Sequence, residues 1–159
     1  MHYRDNGAIG ALMDEYQKAI NELVALCDNI NTKELLTIVD NETSDSDCRS
    51  IQTILSHVVK AGFTYSVEIY KHINIDTPYR ESKLLDTIPE YQAAILAMFE
   101  YCEILFSKLN NDQIEGKDPA LKIKVRWGQY YDIEQLMEHA IVHILRHRRQ
   151  IERFLLKIR

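Results

Sequence analysis

Glycine, proline and cysteine are all scarce in this chain, with five, three and three among 159 residues. The glycines stand at 7, 10, 62, 116 and 128, so no glycine-rich phosphate loop can be built from them. No GxSxG elbow for a nucleophilic serine occurs either. Cys27, Cys48 and Cys102 are scattered, odd in number and form no CxxC pair. That excludes a disulfide framework and a thiolate zinc site, and reads as reduced side chains. No apolar run approaches the roughly 20 residues of a membrane span. Basic excess is also missing: the net charge is −5, which argues against a general nucleic-acid binder. The start, Met1-His-Tyr-Arg-Asp, has no apolar signal core, so the expectation is a cytoplasmic protein. The paired ExxH pattern of di-iron carboxylate proteins is absent, since Glu138 and His139 are adjacent. What is present is ordinary for a soluble globular chain, 46% hydrophobic and 27% charged, and long enough for one domain over residues 1–159.

Apolar residues recur at spacings of three and four over four long stretches. The first runs from 7 to 30, through Ile9, Leu12, Met13, Tyr16, Ile20, Leu23 and Cys27, with Asn29 and Asn31 as candidate terminators. Residues 35–39 read as a short extended piece or a helical turn, and 40–47 as a polar turn. The second helix is expected over about 50–73, with Asp47 or Ser50 as its N-cap. Residues 74–86 form a loop containing Pro78. Thr87-Ile-Pro-Glu90 is a capping box that opens a third helix, ending near Leu109. The connection 110–131 is long, with a candidate extended run from Leu121 to Trp127, and loops of that length often carry function or cover a site. Asp132-Ile-Glu-Gln135 opens the fourth helix, which runs to Ile158. Its arginines at 146, 148, 149, 153 and 159 complement the dipole at the helix C-terminus; a nucleic-acid patch is the lesser reading. The fold class is all-α: a four-helix bundle whose long connections after the first and third helices allow crossovers, so that simple up-and-down topology does not follow.

Three of the six histidines, His139, His143 and His147, fall four apart on that last helix. Residues i and i+4 lie one above the other, so two such imidazoles can close on one metal ion. At about 100° per residue, His147 falls within the apolar arc of Leu136, Ala140, Ile144 and Ile151, and His143 at its edge. His139 lies further out and reads as solvated, with an alternate ligand or a group supporting the ligands as the lesser reading; His2 and His72 read as surface residues. His57 sits on the shoulder of the second helix's apolar arc, beside Ile54 and Ala61. Neutral imidazole suits zinc, nickel, iron and copper, and three histidines with an open position make a catalytic rather than a structural site. By itself an HxxxH pair is more often two semi-buried imidazoles bonded to backbone or carboxylate than a metal site.

A lone histidine seven residues past Ser50-Ile51, followed by His143-Ile-Leu-Arg-His147-Arg-Arg-Gln150, resembles the DinB-like metal-binding bundle family over the whole chain. The resemblance implies that His57, His143 and His147 bind a divalent metal ion, commonly zinc or nickel. It also implies a crossover bundle and a homodimer. Arg149 stands where the family typically has glycine, and Arg49 where a tryptophan often precedes the serine. Characterised relatives include S-transferases that activate a low-molecular-weight thiol for attack on a small electrophilic substrate. On this reading the protein is a metal-dependent enzyme with no nucleic-acid or membrane partner. The alternatives are a metal- or ligand-binding sensor or stress protein without turnover, a metal-dependent hydrolase, and a structural bundle whose histidines hold no metal.

Overall fold

The computed structural model describes residues 3–159. Four long helices carry the fold: α1 (Gly7–Cys27), α3 (Ile51–His72), α4 (Ile88–Phe106) and α6 (Ile133–Ile158). Two short ones, α2 (Thr32–Leu36) and α5 (Asn111–Ile114), lie in the connections. A small antiparallel pair, β1 (Ile123–Lys124) and β2 (Tyr130–Tyr131), precedes α6.

Polar side chains set the starts of these helices. Ser50, Thr87 and Asp132 each accept a hydrogen bond from the backbone N–H three residues on, and the third side chain returns to the cap in each case. Both capping boxes expected from sequence are therefore present, and Ser50 rather than Asp47 caps α3. Asn31, a candidate terminator of the first helix, instead caps α2 through a reciprocal pair with Glu34. The ambiguous stretch 35–39 splits: Leu35 and Leu36 finish α2, and Ile38 bridges to Ser50 in extended form.

The core is one connected cluster with members from all six helices, including Tyr16, Leu35, Leu55, Tyr91, Ile114 and Leu136. α1 and α3 lie across from each other, and each packs on α4 and α6. Hydrogen bonds fix the directions. Gln92 near the start of α4 reaches the carbonyl of Val24 at the end of α1, and the N–H of Ile9 reaches Asn111 beyond the end of α4, so α1 and α4 are antiparallel. Tyr91 meets Ser56 near the start of α3, whereas Tyr101 meets Thr77 beyond its end, so α3 and α4 are parallel. α6 runs antiparallel to α3, pairing His147 with His57 and His139 with Tyr65.

Parallel neighbours oblige the chain to travel back along the helices between them. Residues 73–87 make that return. A helix of 22 residues is about 33 Å long, and fifteen extended residues reach about 50 Å, so the strap is long enough. It is tied down in order along α3: Tyr79 donates to Glu68, Arg80 covers the ring of Phe63, Ser56 donates to the Lys83 carbonyl, and Gln52 donates to that of Leu85. The two other connections, 28–50 and 107–132, cross diagonally. α3 and α4 approach closely at Gly62, where a Cβ would lie 2.0 Å from Met98 Sδ.

Candidate metal centre

α3 presents His57 in its second turn, two turns past the Ser50 cap. α6 presents His143 and His147 one turn apart, both at the floor of the α3–α6 seam, 5% and 3% exposed. The three Nε2 atoms converge: His143 lies 3.0 Å from His57 and 3.2 Å from His147. All three fall within 4.8 Å of one another, a set that can hold a metal ion. A tetrahedral cation about 2.0–2.1 Å from each nitrogen would place its ligands about 3.3 Å apart, close to the spacings seen.

The far sides of two of these rings are fixed. His57 Nδ1 donates to Asp47 Oδ2 at 3.1 Å, and His147 Nδ1 donates to Gln150 Oε1 at 3.0 Å. A carboxylate or carbonyl behind Nδ1 holds the proton there and leaves the lone pair on Nε2, as metal-ligating histidines require. Burial, then the neighbouring imidazoles of His147 and His57, pushes His143 down to about 2. Burial, then His57, pushes His147 down to about 4, with Gln150 opposing. Both rings are therefore neutral at pH 7. Among the described residues His143 Nδ1 has no hydrogen-bond partner, and it is buried. A proton on His143 Nε2 could serve only one of the two lone pairs facing it, whereas a cation would serve all three. The donor set fits a divalent metal.

Beside the imidazoles opens a cleft of about 430 Å³. Tyr65 stands edge-on to His143 and His139, and Trp127 stacks on His139 at 5.2 Å and 25°. Tyr131 closes the same cluster. His139 is thus half-buried among aromatic rings rather than fully solvated, because the 110–131 connection folds over its helix face and brings Trp127 onto it. Lys60, Arg126 and Arg146 line the mouth, with Asp47 the sole carboxylate among the lining residues.

Sequence reasoning brought forward the three imidazoles that the structure brings together. It carried Gln150 only as part of a motif, and offered Asp47 only as a helix cap. The aromatic wall went unassigned: Tyr65 lies eight residues past His57 and so on the same helix face, which was a usable signal. His72 is exposed, as read, and His2 lies outside the described residues. The arginines of α6 divide: Arg148 pairs with Glu22 and Glu152, Arg159 with Glu34, and Arg146, Arg149 and Arg153 line a basic groove with Lys157.

Comparison with models of known families and with curated protein sequences gives no match.

Proposed function

We propose that the chain is a divalent-metal protein of the DinB-like kind, with the crossover four-helix bundle of that family, and that it acts as a thiol-dependent S-transferase. The convergence of the Nε2 atoms of His57, His143 and His147 carries this reading. Asp47 and Gln150 support it, because each holds an Nδ1 proton outward and frees the inner nitrogen for a metal. Zinc and nickel suit an all-imidazole donor set.

A cation held there would supply the positive charge that keeps a small thiol ionised near neutral pH. The chain's own residues do the rest. The three histidines come from one side, α3 and α6, and leave the side toward the cleft open. Tyr65 and Trp127 offer an apolar wall for the body of a small molecule and limit water there. The sulfur would form a bond to an electrophilic carbon of the second substrate as that carbon's leaving group departs with its electron pair. The thiol's proton passes to solvent.

Elemental analysis of the purified protein, followed by zinc and nickel titration, tests the metal. His143→Ala abolishes uptake on this reading. Turnover of small thiols with alkyl halides or epoxides tests the chemistry, and loss of that turnover in His143→Ala ties it to the site. A protein that refuses every divalent ion overturns the proposal. One that binds metal but leaves the thiol reaction unaffected by His143→Ala is a binding module without turnover.

A further inference from the structure

Charge is unevenly placed around the cleft. The chain is acidic overall, at −5, yet the side chains lining the mouth include Lys60, Arg126 and Arg146 against one carboxylate. That carboxylate, Asp47, is committed to His57. None of the three cations forms an ion pair with a carboxylate among the described residues, whereas Arg4, Arg148 and Arg159 all do. Arg126 is also held: its guanidinium lies 3.8 Å from the centre of the Tyr79 ring, on the strap. Tyr79 is in turn anchored by donating to Glu68. Arg146 stands three residues past His143 and next to His147, with its side chain exposed and lining the same cleft. Three cations at one mouth repel each other, and a bound anion would relieve that repulsion. The wall behind them is aromatic: Tyr65 and Trp127 stand edge to face, with ring centres 5.9 Å apart and planes at 78°.

We propose that the small molecule bound in this cleft carries an anionic group, received by Arg126, Arg146 and Lys60, while its uncharged part lies against Tyr65 and Trp127. This rests on the metal-site reading above and names the substrate class that the site selects. The anion is a carboxylate or a tetrahedral oxyanion such as a sulfonate or phosphate; arginine receives either through paired N–H donors.

Trp127 is the only tryptophan in the chain and lies in the cleft wall, so its fluorescence reports occupancy directly. Zinc-loaded protein is titrated with 2-mercaptoethanol, 3-mercaptopropionate and 2-mercaptoethanesulfonate, which share a thiol and differ in charge. The charged thiols are expected to bind about tenfold more tightly than the neutral one at low salt, with the preference shrinking as salt rises. The carboxylate and sulfonate arms tell the two oxyanion types apart. In Arg126→Gln/Arg146→Gln the preference falls to about one. In Arg153→Gln, further along α6, it is unchanged. Equal affinity of all three thiols for the zinc-loaded wild type overturns this inference and leaves the metal site standing. A preference that survives Arg126→Gln/Arg146→Gln overturns it as well. Failure to take up zinc at all overturns the metal reading, and this inference with it.

Discussion

Acid should unfold the metal-free protein in a window set by two buried rings. An unfolded histidine titrates at about 6.5. In the folded chain His143 is pushed down to about 2 and His147 to about 4, chiefly by burial. Above pH 6.5 neither state holds a proton at these positions, and pH has no leverage through them. Below it the unfolded chain takes up protons that the folded chain refuses, so stability falls with pH. The loss continues down to about pH 4 for His147 and further for His143. Integrated from pH 7 to pH 5, each ring contributes about 2 kcal/mol, and the pair about 4 kcal/mol. For a domain of this size about 1 kcal/mol moves Tm by 2–4 °C, so the expected drop is about 8–16 °C. Carboxylates held low, such as Glu34 beside Arg159, titrate mostly below this window. Scanning calorimetry at pH 7, 6 and 5 in the presence of a chelator measures the drop. His143→Leu/His147→Leu should lose most of it. Equal melting at pH 7 and 5 in the wild type, or an undiminished drop in the double variant, would refute the account of these rings as buried and neutral.

Zinc at about one hundred times its Kd should stabilise the fold by about 2.7 kcal/mol, a rise of about 5–11 °C in Tm, and His57→Ala should erase most of that rise at the same zinc concentration. Gln150→Leu removes the acceptor behind His147 Nδ1 and should weaken zinc binding about 10–100-fold by isothermal titration, with the fold intact by circular dichroism. Asp47→Asn keeps an acceptor oxygen but loses its charge, and should weaken zinc less than Gln150→Leu does; a larger loss would mean that His57 dominates the site. Gly62→Ala forces a methyl group onto Met98 and should cost about 1–3 kcal/mol in urea unfolding despite alanine's better helix propensity.

Local chemistry was legible because it is local. The Thr87–Glu90 and Asp132–Gln135 boxes place their helix starts from four residues each, and a helical wheel turns His143 and His147 inward without knowledge of what they meet. His57 was different. Its position on a helix shoulder faces the other two imidazoles only because α3 and α6 are neighbours, and nothing within either helix states that. The reading of His139 failed for a related reason: a wheel measures a residue against its own helix, and the ring that buries His139 comes from Trp127 on a separate connection. Asp47 was weighed as a cap because capping is a short-range event, yet its carboxylate serves a histidine ten residues on.

The sequence by itself determined a mostly helical chain, the starts of its main helices and the inward direction of two imidazoles, since periodicity and capping act over a few residues. Tertiary structure alone decided that α3 runs alongside α4 with a strap returning between them, that a third imidazole meets the other two, and that three cations from α3, α6 and a loop share one mouth. Those facts depend on which helices pack side by side, and packing is chosen by the whole core rather than by any one segment.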